Sequence, residues 1–320
     1  MRPGPAVGAV AIGRNEGERL LLCLRSLAPQ VDRLVYVDSG SADGSAERAE
    51  ALGVEVIRLD PPFTAAKGRA AGFAALERAG PFDLVQFVDG DCEVEAGWVA
   101  AAAAALAADP SLGLVTGWRG EVEPRLNPFH ALLEMEWKRP AGPIASCGGD
   151  MMVRADAYRA AGGFDPALVA SEDEEFCLRL AARTGRGLLR LPLPMTRHDA
   201  RITRLGQWWR RELRAGHGFA DLSAHPGHFR RHRLRAWAWG LVLPLVALGA
   251  LLAGLRAVAA AVAGLYLLSW LRLAWALRRE PYPWRQAGLL VLGKLANALG
   301  LLRLRLRRLR GVPPRIIEYR

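Results

Sequence analysis

The sequence predicts an α/β protein, with a mostly parallel sheet and flanking helices, followed by hydrophobic helices that associate with a membrane. Three observations carry this expectation. Up to about Arg197, short apolar strands alternate with helical patterns, which implies a parallel sheet with crossover helices. After His198 come long apolar runs, the first of about twenty residues, close to the thickness of a bilayer's hydrocarbon core. Finally, 43 Lys and Arg outweigh 32 Asp and Glu, and much of the excess is arginine in the C-terminal third, at "RRELR", "RRHRLR" and "RLRLRRLR". Basic residues flanking apolar runs mark the cytoplasmic side of a membrane. A membrane is therefore the expected partner. No nucleic acid is expected, because these arginines adjoin apolar runs instead of an aromatic-studded groove.

The elements follow in order. "AVGAVAI" (Ala6 to Ile12) reads as a strand ending at Gly13-Arg14-Asn15-Glu16, and Leu20, Leu21, Leu24 and Leu27 then fall on one helical face. "RLVYVDSGSADGS" is a second strand that breaks at Asp38 into a Ser/Gly/Asp loop, leading to a helix near Ala46 to Leu52. "VEVIRL" is a third strand, "AAKGRAAGFAALERA" a helix, and "DLVQFVD" a fourth strand ending in Asp89-Gly90-Asp91. The alanine-rich "GWVAAAAAALAADP" is a strong helix former that stops at Asp109-Pro110. "LGLVTGW" reads as a strand. "CGGDMMVRADAYRAAGGFD" gives a Gly-rich turn, a short strand and a helix capped by Asp156. "SEDEEFCLRLAARTG" is a helix opened by acids, which complement the positive end of its dipole.

Past His198, Ala236 to Leu255 and Ala257 to Leu271 form two apolar legs around Arg256, as a transmembrane hairpin or a re-entrant pair. Gln286 to Leu302 reads as an interfacial amphipathic helix, with a polybasic tail that attracts anionic lipid. The four cysteines, Cys23, Cys92, Cys147 and Cys177, show no paired spacing and read as reduced cytosolic thiols. No cleavable signal peptide is expected.

In open α/β sheets, ligands sit beyond the carboxyl ends of the strands. Asp38 and Asp89 both occupy that end, so one cleft should collect them. Two carboxylates around a glycine suit a hard cation, Mg²⁺ or Mn²⁺, shared with phosphate oxygens. Alone, such a pair is more often a solvated turn.

Order and company decide between these readings. "IGRNEGERL", "VDSGSADGS", "GRAAG", "FVDGDCEV", "GGDMMVRADAYRAAGGFD" and "SEDEEFCLRLAARTG", over roughly residues 6 to 200, resemble the family 2 glycosyltransferases with the GT-A fold. The resemblance implies an enzyme dependent on Mg²⁺ or Mn²⁺ that uses a nucleotide-diphosphate sugar, a UDP-sugar in the commonest members. By it, Asn15 and Glu16 lie in the donor-nucleotide loop and Asp38 contacts the nucleobase. Arg69 falls near the donor, in a "GRA" segment where the family usually has "ARN". Asp89 meets the ribose or metal, and Asp91 the metal and diphosphate. Gly148 and Gly149 line the acceptor and donor-sugar side. Asp173 is the base that takes the acceptor's proton, with Glu172 on the acceptor. His198 is a further metal ligand or a diphosphate contact.

"QWWRRELRAGHG" sits where processive members carry Q-x-x-R-W. The order here, Gln207-Trp208-Trp209-Arg210-Arg211, is not that motif, which favours transfer of a single sugar. Trp here suits a helix at headgroup level. The expected organisation is a GT-A domain at 1–200, a basic amphipathic linker at 201–235, a hydrophobic hairpin at 236–277, and an amphipathic helix with basic tail at 278–320. The expected function is inverting transfer to a lipid or lipid-linked acceptor at the cytoplasmic membrane face. A non-catalytic nucleotide-sugar-binding subunit of a membrane assembly is the alternative.

Overall fold

Four strands, β1 (Val7–Gly13), β2 (Arg33–Asp38), β3 (Glu55–Arg58) and β4 (Leu84–Asp89), lie parallel in the order β3-β2-β1-β4. Helices α1 (Glu18–Leu27), α2 (Ser45–Ala51) and α3 (Ala65–Ala79) make the crossovers. The computed structural model describes residues 4–222 and 228–312; the end of the expected basic tail, 313–320, lies outside the described residues.

The apolar runs of β1, β2 and β4 are needed because both faces of the sheet are covered. Ala9 and Ala11 face a cluster with Leu20, Leu24, Tyr36 and Trp98, while Val10 and Ile12 face one with Val37, Phe73, Phe87 and Phe176. Helix α3 lies so close to the sheet that a Cβ on Gly72 would stand 2.2 Å from Val10 Cγ1.

The chain continues through β5 (Cys92–Val94), α4 (Trp98–Ala108), β6 (Leu112–Glu121), α5 (Pro128–Trp137), β7 (Gly142–Ile144) and β8 (Met151–Arg154). Then come α6 (Ala155–Ala161), α7 (Glu172–Thr184) and β9 (Gly187–His198). The expected parallel block ends at β4. Beyond it the sheet is mixed, because β8 enters antiparallel between β4 and β6, and β6 pairs β9 in parallel while β5 and β7 pair β9 antiparallel. The register sets Gly13 beside Asp38 and Ile12 beside Asp89, so these strand ends share one edge. Asp156 does not cap α6 as expected. Arg154 stands at the N-cap, and Asp156 lies in the first turn, held by Arg186 at 2.8 Å.

By contacts the chain divides into two units: residues up to Val122 with Glu134–Leu168 and Glu172–Ala200, and Glu123–Leu133 with Val169–Ser171 and the residues from Arg201 on. The second contains α8 (Leu205–Asp221), α9 (Arg230–Trp237) continuing through a π turn into α10 (Leu243–Leu252), α11 (Arg256–Ala276) and α12 (Pro283–Leu309). Three of its helical segments, Arg230–Leu252, Arg256–Ala276 and Pro283–Leu309, are long and apolar enough to cross a membrane. The second leg is longer than its apolar run suggested, because Arg256 opens the helix after a turn at Gly254, φ +74°, and the helix continues through Arg272 to Ala276.

Helix α12 also outruns its expected limits, with Pro283 starting it and a Leu/Arg-rich end that continues it. It packs tightly on α8, where a Cβ on Gly300 would stand 2.2 Å from the Leu213 carbonyl oxygen. Asn297 Nδ2 donates to the Glu212 carbonyl at 2.9 Å. Trp208, expected at headgroup level, is buried at 3% exposure.

Candidate active site

The acids at the end of β4 have different partners. Asp89 accepts from Arg69 Nη2 on Oδ1 at 2.7 Å and from Arg119 Nη2 on Oδ2 at 2.9 Å. The two guanidiniums overcome the burial of Asp89 and hold its carboxyl well below the usual carboxylate range. Gly90 lets the turn pass β1: its N–H donates to the Ile12 carbonyl at 2.7 Å, and a Cβ there would lie 3.0 Å from that oxygen. Beyond it, Asp91 is buried at 4% exposure, and its Oδ2 stands 3.0 Å from His198 Nε2.

Strand pairing brings His198 there. It is the last residue of β9, with Cys92 of β5 as its partner on one side and Glu121 of β6 on the other. The Trp137 ring packs edge-on against the imidazole at 4.6 Å. One ligand atom each from Asp91, Cys92 and His198 fall within 4.8 Å of one another. Burial lowers the proton affinity of His198 and raises that of the Cys92 thiol well above its ordinary value. With its proton on Nδ1, a neutral imidazole would present Nε2 to the carboxylate as a second acceptor, and a cation between them would satisfy both. This oxygen and nitrogen set fits Mn²⁺ or Mg²⁺ completed by phosphate and water, whereas a protonated thiol adds no strong ligand. Asp89, expected at the ribose or the metal, is spanned by its two arginines.

Arg69 links the two expected groups of residues. Its side chain, 3% exposed, donates from Nη1 to Glu172 Oε1 at 2.7 Å and from Nη2 to Asp89. Gly149 makes this possible, because a Cβ there would meet Arg69 Nη2 at 1.9 Å. Gly148 borders Asp173: a Cβ there would lie 3.8 Å from Asp173 Oδ2. Asp173 is half-buried in the first turn of α7, and burial, then the Glu172 charge, push its carboxyl up to about 7 against the pull of Arg69.

Other expected donor residues hold loops together. Asn15, at φ +56°, accepts the Ala42 N–H on its side-chain oxygen at 2.8 Å and donates its own N–H to Ser41 Oγ at 2.9 Å. Glu16 is buried and paired with Arg19 at 2.5 Å. Asp38 accepts from Tyr36 Oη at 2.9 Å and from the N–H groups of Gly40 at 3.0 Å and Ser41 at 2.9 Å. Those bonds occupy three of a carboxylate's roughly four acceptor positions.

Sequence reading missed Arg119, Asp150 and Thr196. Asp150 is 2% exposed and accepts from the Asp89 N–H at 3.0 Å, Arg119 Nε at 2.9 Å and Thr196 Oγ1 at 2.7 Å. It thereby orients Asp89 twice, through its backbone and through Arg119. Arg119 also lies over the Trp137 ring, 5.4 Å from its centroid. The available signal was polar residues, Thr116, Arg119 and Glu121, continuing a strand whose first half is apolar.

The comparisons with known proteins bear on the family and the fold. A pre-mycofactocin glycosyltransferase of Mycobacterium tuberculosis is 29% identical over 224 residues, covering 65% of this chain and 45% of the relative. The chain thus spans less than half the length of that protein. The structure of the Pyrobaculum calidifontis mannosyltransferase PcManGT, in complex with GDP-Man and Mn²⁺, matches with TM-score 0.61 at 21% identity, covering 94% of this chain and 88% of that one. GalNAc-T7 with UDP, GalNAc and Mn²⁺ matches with TM-score 0.50 at 17% identity, over 63% of this chain and 45% of that one. At these identities the structural likeness bears on the fold, which is of the GT-A type. The sequence pattern of Glycosyl transferase family 2 matches residues 10–153. That of Glycosyl transferase family group 2 matches residues 84–278, more than half of the chain. Since these patterns together run from the first strand through the strand-end acids, Asp173 and His198 into the apolar helices, the chain belongs to the family 2 glycosyltransferases.

Proposed function

We propose that the chain moves a single sugar, with inversion, from a nucleotide-diphosphate sugar to a hydroxyl of a lipid or lipid-linked acceptor at the cytoplasmic membrane face. The observation that carries this reading is Asp173, whose carboxyl titrates at about 7 beside Gly148 and across Arg69 from Asp89. A base poised near neutral pH is half deprotonated there and still holds a proton well. In the proposed step Asp173 takes the acceptor's hydroxyl proton while that oxygen bonds to the anomeric carbon. The bond from that carbon to the diphosphate breaks, and its electron pair leaves with the nucleotide diphosphate. Asp91 and His198 would hold Mg²⁺ or Mn²⁺, which when bound supplies Lewis-acid neutralisation of the leaving group. Glu172, fixed by Arg69, orients the acceptor, and Asn15 and Asp38 shape the nucleotide loop. A UDP-sugar is the proposed donor.

The three apolar helices support a membrane-borne acceptor. The relative named for pre-mycofactocin favours a second reading of the acceptor alone, a non-lipid molecule met at the membrane. Membranes carrying the protein, supplied with UDP- or GDP-sugars and either lipid extract or soluble acceptors, test both. Donor turnover that needs lipid supports the first reading, and turnover with soluble acceptors alone supports the second. Undiminished turnover by Asp173→Asn and Asp91→Ala proteins would remove the assigned roles.

A further inference from the structure

We propose that Glu121 is a positioning residue that selects the tautomer of His198, and so makes that histidine a cation ligand. The proposal rests on the cation site described above. Glu121 ends β6 directly beside His198 in the parallel pairing with β9, so the two side chains are neighbours by register. The Glu121 side chain is 0% exposed. Its Oε1 accepts the Ala200 N–H at 3.0 Å, and its backbone N–H donates to Glu134 Oε2 at 2.7 Å. Thus held from both sides, Glu121 presents Oε2 to His198 Nδ1 at 3.6 Å. The opposite ring nitrogen, Nε2, faces Asp91 Oδ2 at 3.0 Å.

A carboxylate accepts and does not donate. A neutral imidazole between two carboxylates has one proton to place. Glu121 lies on the Nδ1 side, fixed by a strand neighbour and a backbone N–H, and a proton kept there meets its charge. The lone pair then stays on Nε2, directed at the position that a cation shares with Asp91. A proton on Nε2 would donate to Asp91 and close that position. An acid on the far nitrogen is the usual means by which proteins orient a ligating histidine and strengthen it as a donor. Trp137 against the ring edge limits rotation that would exchange the two nitrogens.

Glu121→Gln tests this directly. The amide oxygen can still accept from Ala200, but the amide nitrogen now donates to Nδ1 and sends the histidine proton to Nε2. Mn²⁺ affinity, followed by electron paramagnetic resonance of the purified full chain without nucleotide, should fall roughly 10- to 100-fold. The ¹⁵N shifts of histidine-labelled, metal-free protein, with His198→Asn for assignment, should show the His198 proton on Nδ1 in the parent and on Nε2 in the variant. Glu121→Asp keeps the charge further from the ring and should retain the parent tautomer with an intermediate affinity.

A Gln variant with parent affinity, or with the proton still on Nδ1, would overturn the proposal. So would loss of thermal stability in both variants with affinity and tautomer unmoved, the pattern of a merely structural residue. A parent that binds no Mn²⁺ would remove the cation site itself together with this inference, whereas a parent that binds and a Gln variant that binds equally removes the inference alone.

Discussion

Arg69 Nη1 donates to Glu172 Oε1 at 2.7 Å, joining residues 103 positions apart in the chain. Through this bond and its partner to Asp89, one guanidinium ties the start of α7 to the end of β4. Removing it strips Glu172 of its guanidinium in a poorly hydrated place and leaves Asp89 with Arg119 alone. Arg69→Met should therefore cost about 3–5 kcal/mol of stability, read from denaturant unfolding. Arg69→Lys should recover only part, since an ammonium lacks the planar fork that reaches both carboxylates.

Asp173 carries the pH dependence. Its carboxyl is raised from 3.8 to about 7, so kcat/KM should climb as pH rises through about 7 and level off above. Asp173→Asn should lose that limb and roughly 10²- to 10⁴-fold in rate. Stability should move oppositely. The folded chain binds this proton more tightly than the unfolded chain, so the group's contribution is full below about pH 4. It is lost as pH rises through about 7. At pH above that value Asp173→Asn should melt higher than the parent, and a lower melting temperature there would contradict the assignment.

The adjacent glycines should behave differently. A methyl at Gly149 falls 1.9 Å from Arg69 Nη2, whereas one at Gly148 makes an ordinary contact at 3.8 Å with Asp173. Gly149→Ala should cost about 1–3 kcal/mol by displacing Arg69 and weaken nucleotide-sugar binding in calorimetry. Gly148→Ala should leave folding nearly unchanged and act on acceptor KM.

Chelation should stop transfer, and Mg²⁺ or Mn²⁺ should restore it. Burial keeps the Cys92 thiol protonated at neutral pH. Replacing it by serine should accordingly leave the order of effective metals unchanged in a metal-rescue assay.

Among the apolar helices, a Cβ on Gly300 would strike the Leu213 carbonyl at 2.2 Å, but one on Gly288 would come no closer than 3.8 Å to Trp270. Gly300→Ala should lower the melting temperature in detergent. Gly288→Ala should hold or raise it, by up to about 1 kcal/mol of helix propensity.

Strands β1 to β4, β6 and β8 and the acids ending β2 and β4 were legible because buried apolar runs and a break at Asp38 or Asp89 are local signals, whereas β5, β7 and β9, which carries His198, were not read as strands. Arg119, Asp150 and Thr196 were not, because their meeting depends on β8 inserting between β4 and β6, a pairing no local spacing encodes. Glu16 shows the converse. Its place in the loop after β1 was plain, but its inward pairing with Arg19 three residues on depended on how α1 begins. The length of α12 was hidden for a third reason: its last turns, Arg303 to Leu309, alternate Leu with Arg and so read as a basic tail and not as helix.

Glu172, Arg69, Asp89, Arg119 and Asp150 form a row in which negative and positive groups alternate. Deleting one link changes the net charge of the row, while deleting an adjacent acid and arginine together leaves it unchanged. Evolutionary drift should follow the same arithmetic. Across related sequences, Arg119 and Asp150 should be kept or lost as a couple, and a double replacement should harm folding less than either half of it.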